Sequence, residues 1–363
     1  MWVLIFTGFA LFSAAGIAYL ISRMHRFSFL QKLGEKHKAL SWMLAALPLL
    51  LTGVFYFINF YALFAVLLNL WGIWMLCDLA FFILRKILKK ERKYNIEGAL
   101  AIIITAVVLI IGWHNAHTVL QTDYTFTTKK DIGCDLRIVM FADSHLSITL
   151  DGEKFAKEME KVQALNPDAV LICGDFVDDE SEKEDMLAAC DALGKLQTKY
   201  GVYFSYGNHD EGYFRYRNFT PEELRTAMKA SGIHVLEDEN VLVGDRFWIA
   251  GRLDKSFTGR KSIAELTEGL DKSKYVICMD HQPNDYAAEA DAGMDLVLSG
   301  HTHGGHLWPA GYFGLLIGVN DRVYGTERRG ETDFLVTSGI SGWAIPFKTG
   351  TISEICCIDI KQE

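Results

Sequence analysis

Residues 298–305 read LSGHTHGG, with His301 and His303 one residue apart between glycines, straight after an apolar run of strand character. Polar residues with metal-binding or acid-base chemistry close other apolar runs in the same way. Asp143 and His145 follow a run that begins at Leu136, Asp175 follows a second, and Asn208, His209 and Asp210 follow a third. His281 follows a later run, and His301 and His303 the next. In α/β proteins the carboxyl ends of strands converge on one crevice where ligands bind. A lone histidine at a strand end is more often a hydrogen-bonded structural residue than a ligand. Five strand ends that together deliver carboxylate, imidazole and amide, with no thiolate, form a donor set suited to Zn, Mn or Fe in a hydrolytic centre.

The elements that must position these groups are legible as eight apolar runs: LRIVMFAD, DAVLICGD, GVYFSYGNHD, RFWIAG, KYVICMDHQP, MDLVLSGHTH, DFLVTSG and ISEICCIDI. Between them the pattern predicts helices over 152–165, 182–199, 221–231, 260–269 and 285–291. Thr220 caps the third of these, with Pro221 at its first position and Glu223 closing a capping box. Alternation around Tyr124 and Phe126 adds a short edge strand. Strands alternating with helices over this length predict one α/β domain with a largely parallel core and later antiparallel strands.

In chain order, DSH, GDFVD, GNHD, DHQP and GHTHGG resemble the motif series of the calcineurin-like metallophosphoesterase superfamily, over about residues 136–360 and most of all its bacterial membrane-attached branch. The resemblance implies an α/β fold built as a four-layer α-β-β-α sandwich. Carried over motif by motif, it implies that Asp143, His145 and His303 hold one divalent ion (Mn, Fe or Zn), that Asn208, His281 and His301 hold a second, and that Asp175 bridges both. Two such ions polarise a phosphoryl group and lower the pKa of a bound water. His209 then protonates the leaving oxygen or stabilises its charge, with Asp178 or Asp210 orienting it. Three departures bear on substrate. Asp179 and Glu180 follow Asp178 where protein phosphatases have Arg-Gly, which argues against a Ser/Thr phosphatase. His306 stands where many relatives have glutamine, and Lys348 and Ser353 replace an arginine and a proline. The metal set is untouched by these changes.

Half of the 363 residues are hydrophobic, and the excess sits in the first third. Residues 2–21 carry no charge, 39–84 carry only Asp78, and 98–113 are uncharged. A span takes about 20 apolar residues, so the middle block fits two spans turning near Asn59, Phe60 and Tyr61. Residues 1–117 are therefore expected to form an all-α bundle of four transmembrane helices, followed by the metallophosphoesterase domain at 118–363. The first helix is read as an anchor rather than a cleaved signal, because Arg23 and Arg26 follow it and nothing basic precedes it. Basic loops at 23–38 and 85–93 belong in the cytoplasm by the positive-inside rule, which puts the catalytic domain on the extracytoplasmic face of a multi-pass cell-membrane protein.

Charge divides the chain at the same place. Residues 1–130 hold 13 Lys and Arg against 5 Asp and Glu, and residues 131–363 hold 23 against 40. So acidic a domain has no basic surface for nucleic-acid phosphates. The seven cysteines form no CxxC pair and read as small buried hydrophobes rather than a disulfide framework. Asp78 is expected to reach the interface or Arg85, and Trp71, Trp74 and Trp113 to be interface anchors. Arg252 has two readings, a phosphate clamp or a solvated surface charge.

The expected activity is hydrolysis of a phosphodiester or pyrophosphate, with a lipid-linked or envelope substrate suggested by membrane attachment. The alternatives are a phosphomonoesterase, or a catalytically silent metal-binding sensor or scaffold on a receptor or transport module. A phosphomonoesterase is expected to carry an extra cationic clamp, and the missing Arg-Gly favours the diester. The presence of every expected ligand, and of His209, favours an enzyme.

Overall fold

A computed structural model describes residues 2–213 and 217–363, and the chain divides into two compact units, Met1–Ile111 and Gly112–Glu363. The first unit is helical: α1 (Trp2–Met24), the short amphipathic α2 (Ser28–Lys36), α3 (Lys38–Leu51) running on as a 3-10 turn to Phe57, α4 (Phe60–Leu88), and α5 (Ile96–His117), whose last turns belong to the second unit. Among the described residues three helices, Lys38–Phe57, Phe60–Leu88 and Ile96–His117, are long and apolar enough to cross a membrane. The apolar part of α1 over its described side chains, Leu11–Met24, is shorter. The expected turn is built by Asn59, whose side chain accepts from the Ala62 amide at 2.7 Å and caps α4.

Two expectations for this unit are corrected. Asp78 pairs with Arg23 and Arg26 and accepts from the Tyr19 hydroxyl at 2.9 Å, while Arg85 pairs with Glu97 at 2.6 Å instead. Trp74 is no interface anchor; it is fully buried among Leu20, Met24, Leu30, Ala45, Leu70 and Ala101. Which ring faces inward is decided by helix pairing, which composition near a span end does not encode.

The second unit adds β1 (Val119–Thr128), β2 (Leu136–Phe141), α6 (Gly152–Ala164), β3 (Ala169–Cys173), α7 (Lys183–Gly194), β4 (Val202–Ser205), α8 (Pro221–Ala230), β5 (His234–Leu236), β6 (Glu239–Val243) and β7 (Phe247–Gly251). It continues with α9 (Ile263–Leu266), β8 (Tyr275–Met279), α10 (Tyr286–Asp291), β9 (Leu296–Ser299), α11 (Phe313–Leu316), β10 (Gly325–Arg329), β11 (Thr332–Val336) and β12 (Ser353–Gln362). One six-stranded sheet has the order β1-β12-β2-β3-β4-β5, the other β10-β11-β9-β8-β7-β6. Strands β2 to β5 run parallel, as do β7, β8, β9 and β11, and β12, β6 and β10 each pair antiparallel with a neighbour.

Parallel strands covered on both faces must be apolar at every position, which is why these runs stand out in the sequence. Alternate residues of β2 show the covering: Ile138 and Met140 enter a core shared with Ile249, Ile277 and Leu298 of the other sheet, whereas Val139 and Phe141 enter one shared with Phe155 of α6 and Leu193 of α7. On the far side of the second sheet, Val276 and Val297 pack with Ile263 of α9 and Tyr286 of α10. The strands that the pattern does not announce are β5, β6 and β10. All three are sheet edges and β5 has only three residues, so pairing rather than an apolar run defines them. The helix expected over 260–269 shortens to Ile263–Leu266, set by the Ser262/Glu265 capping box. All seven cysteines are free thiols and five are buried, in keeping with the hydrophobe reading.

Arg252 fits neither of its readings. It is 4% exposed, and its Nη1 lies 2.8 Å from Asp280, 2.7 Å from Asp285 and 3.9 Å from Glu289, with Arg260 also paired to Asp280. Removing one member of a buried charge cluster strands the others, at a cost of about 3 kcal/mol or more. Arg252→Ala is therefore expected to lower the thermal midpoint of the full chain by several degrees, whereas Arg328→Ala, on an exposed edge strand, leaves it unchanged; equal midpoints for the two variants would refute the assignment.

Candidate metal centre

The loops after β2, β3, β4, β8 and β9 meet at one place, and the backbone there is forced. Asp143, His145, Asp175, His301 and His303 all have positive φ, between 34° and 69°. This region costs non-glycine residues about 1–3 kcal/mol each and clusters where the surrounding structure over-determines it. The loops are fastened to one another: the Asp143 amide donates to Gly174 O at 3.0 Å, the His145 amide to Asp175 O at 3.1 Å, and the His301 amide to both carboxylate oxygens of Asp143 at 3.0 Å. Two glycines are required by space. A Cβ on Gly207 would sit 2.2 Å from Asp175 Oδ1, and one on Gly300 would sit 2.6 Å from Asp143 Oδ2.

Within this frame, Asp143, His145 and His303 bring one ligand atom each to within 4.8 Å of one another, and Asp175, His281 and His301 do the same. His145 Nε2 faces His303 Nε2 at 3.2 Å, with Asp143 Oδ1 at 3.9 Å from the first and 3.7 Å from the second. His281 Nδ1 lies 2.8 Å from the Cys173 carbonyl. A carbonyl only accepts, so Nδ1 carries a proton, and Nε2, 3.1 Å from Asp175 Oδ2, is the ring atom turned toward the cluster. Asn208 Oδ1 meets His301 Nδ1 at 2.8 Å, and the Asn208 amide nitrogen donates to the Tyr213 hydroxyl at 2.9 Å. All seven expected ligands are thus brought together. Two imidazole nitrogens in contact at 3.2 Å, and buried ring nitrogens of His281 and His303 without hydrogen-bond partners, suit cations in both clusters.

The electrostatics agree. Burial pushes Asp143 up to about 6, against the pull of His281 and His145. Burial acts the same way on Asp175, but His281 and His145 outweigh it and hold the carboxylate below its usual range. His301 is lowered to about 4 by burial and by the charge of His281, and burial holds His303 well below the ordinary imidazole value. Burial also works against charge on His281 and His145, but Asp175 outweighs it at His281, and Asp178 with Asp175 at His145, so both rings are raised above the ordinary imidazole value. Each cluster thus holds positive charge against ionised Asp175, the place a metal cation would take by displacing those protons.

His209 presents its ring beside this set, with centroids 5.2 Å from His145, 5.0 Å from Tyr213 and 5.6 Å from Trp343, and its amide donates to Asp175 Oδ1 at 2.8 Å. Burial lowers its pKa, partly offset by Asp175. Its Nδ1 has no hydrogen-bond partner, so neither Asp178 nor Asp210 bonds the ring at that atom. Asp178 Oδ2 lies 3.3 Å from His145 Nδ1. Asp210 points into the backbone and accepts from the amides of Asp175, Phe176, Val177 and Gly207 at 2.7–3.2 Å. Burial and the neighbouring Asp175 push its carboxyl up to about 7.

Sequence reasoning passed over Tyr213 and Trp343. Tyr213 lies only five residues beyond Asn208, but nothing in GNHDEGY marks the ring as a partner of the amide; Trp343 arrives from a loop far along the chain. Lys348 backs the site instead of opening onto it, whereas the half-buried His306 ring lies beside it, 5.3 Å from that of His303 between centroids. Lys348 is fully buried, donates to Ser338 O at 2.7 Å and Gly339 O at 3.2 Å, and is lowered to about 7 by burial. His306 Nε2 lies 3.1 Å from Ile345 O.

Comparison with known proteins places these motifs. The calcineurin-like phosphoesterase family model matches residues 136–305. An uncharacterized metallophosphoesterase of Aquifex aeolicus is 31% identical over 246 residues, covering 66% of this chain and 90% of that protein. A transmembrane protein with metallophosphoesterase domain from Danio rerio is 30% identical over 284 residues, or 73% of this chain and 63% of that protein. An uncharacterized metallophosphoesterase of Campylobacter jejuni is 29% identical over 284 residues, with 75% and 73% covered. The chain therefore spans a little under two thirds of the zebrafish protein.

Because a methyl group at Gly207 displaces Asp175, Gly207→Ala is expected to lose bound metal by elemental analysis while Gly232→Ala, at a turn with open space around it, retains it. Retention of full metal content in Gly207→Ala would show that Asp175 is not held by this contact.

Proposed function

Because this chain belongs to the calcineurin-like metallophosphoesterase family, we propose that it is a metal-dependent phosphoesterase whose substrate is a phosphodiester or a pyrophosphate. The observation that carries the reading is the place of Asp175: its Oδ2 lies 3.6 Å from His145 Nε2 in one cluster and 3.1 Å from His281 Nε2 in the other, so one carboxylate serves both. Asp143, His145 and His303 would hold one divalent ion and Asn208, His281 and His301 a second, with Asp175 offering a carboxylate to both clusters, in the four-layer sandwich of the family. Such ions (Mn, Fe or Zn) polarise the phosphoryl oxygens and make water a nucleophile near neutral pH.

The protein's own groups supply the remainder. His209 stands at the edge of the set, where its ring can hold or deliver a proton at the leaving oxygen. Burial makes it a stronger acid than free imidazole. Asp178 orients His145, and Asp210 pins the backbone that carries Asp175 to the backbone that carries Asn208 and His209. A dianionic monoester calls for a free cationic clamp. Among the described residues Arg252 is absorbed by Asp280 and Asp285, and Arg217 donates to the His209 and Asp210 carbonyls. These commitments favour a substrate without a terminal dianionic phosphate, either a phosphodiester or a pyrophosphate substituted at both ends.

The long helix of α1 supports a fourth span beside the three of membrane length, and the basic loops support an extracytoplasmic catalytic unit. Confinement to one surface favours a substrate that is itself lipid-linked or part of the envelope.

Purified full-length protein loaded with Mn²⁺ is expected to cleave bis-p-nitrophenyl phosphate faster than p-nitrophenyl phosphate; cleavage of neither by protein shown to carry metal would overturn the reading. Asp175→Asn is expected to lose both metal and activity. His209→Ala keeps its metal while turnover falls about 10²–10⁴-fold, and the limb on which rate falls as pH rises through the His209 pKa disappears. Asp178→Asn weakens metal binding about 10–100-fold through His145.

A further inference from the structure

From Gly112 onward, twelve large apolar side chains are exposed among the described residues, and seven of them lie between Trp308 and Val319. Leu316 is 78% exposed, Phe313 63%, Ile317 61% and Trp308 58%. No charged residue occurs from 307 to 320. A soluble domain rarely leaves so much contiguous apolar surface in water without a partner for it. The order within the stretch is also specific, with Trp308 and Tyr312 ahead of the aliphatic tip formed by α11 and Ile317. Amphipathic rings beside an aliphatic tip match the depth profile of a membrane interface.

The position of the stretch names its occupant. Trp308 N donates to Thr349 Oγ1 at 3.1 Å, and a Cβ on Gly112, in the last turns of α5, would sit 2.9 Å from Thr349 Cγ2. The Lys348 amide donates to Gly112 O at 2.8 Å, the Asn115 side chain to Lys348 O at 3.1 Å, and Trp113 meets Phe347 edge-on at 5.6 Å. The exposed stretch is therefore joined through residues 347–349 to the point where a helix of membrane length enters the second unit. At the same end it grows directly from the loop of His301 and His303: Gly350 N donates to His306 O at 2.9 Å, and the Tyr312 ring packs over Gly305.

We propose that residues 308–319 dock into the bilayer beside the end of α5, so that the loop bearing His301 and His303 is held at the lipid surface. The inference rests on reading α3–α5 as membrane spans and requires no hydrolytic activity. A substrate whose phosphate lies in a lipid headgroup then reaches the centre without leaving the membrane.

The test is a nitroxide at Leu316→Cys in full-length protein with Cys134→Ser, reconstituted in phosphatidylcholine and phosphatidylglycerol vesicles, against the same label at Leu187→Cys on exposed α7. Docking predicts a several-fold higher ratio of oxygen to nickel-chelate accessibility at 316 than at 187. Equal ratios would overturn the proposal. So would protection at 316 that persists in detergent and follows protein concentration, which would mean that a second copy covers the stretch. Because the readout is depth, loss of esterase activity leaves it unaffected, and failure of docking leaves the esterase assay unaffected.

Discussion

Asp175 is almost wholly interior, yet it must stay ionised between two groups of imidazoles. An isolated carboxylate in such a place gives up its charge or destabilises the fold. Here the negative charge is held by His281 and His145 and by the His209 amide, and the loops that bring them are tied to one another through backbone bonds. Strained backbone at five candidate ligand positions, glycines with no room for a side chain, and the Asp210 carboxylate spread over four amides all serve that one requirement. The parallel strands behind it supply a rigid floor, because their apolar side chains interlock on both faces.

The same arrangement divides labour among carboxylates that look alike in the sequence. Asp143 and Asp175 face ring nitrogens and are available to metal. Asp178 faces the far side of a ligand ring. Asp210 faces only amides, and its neighbour Asp175 raises its pKa. Asp280, one residue from His281, is paired with Arg252 and Arg260, whereas Glu289, one helix away, is pushed well above the usual carboxylate range by burial and by Asp280. Environment, and not residue type, decides which acid takes part in chemistry.

Much of this was legible beforehand, and for a physical reason. Strands buried on both faces must be apolar throughout, so a polar residue at the end of such a run is conspicuous; Asp143, Asp175, Asn208, His281 and His301 were all visible in this way. Edge strands such as β10, whose GTERR is half solvent-facing, carry no such contrast. Partners across the fold were not visible at all. Arg252 reads as a surface residue until Asp280 and Asp285 converge on it, and the orienting carboxylate of His145 reads as that of His209. The uncharged stretch after His306 has no helix or strand period long enough to mark it, so its exposure emerges only from packing.

Strand β1 leaves α5 directly and pairs along its whole length with β12, from Val119 against Ser353 to Thr128 against Gln362. β1 lies at the sheet edge, so β12 is its sole strand neighbour. During synthesis β1 therefore waits, with its hydrogen-bonding edge open, until residues 353–362 emerge. Closing so long a loop is slow compared with helix formation. Formation of the apolar helices thus comes early and the pairing of β1 with β12 late, so the edge of β12's sheet is set by the two most distant parts of the second unit.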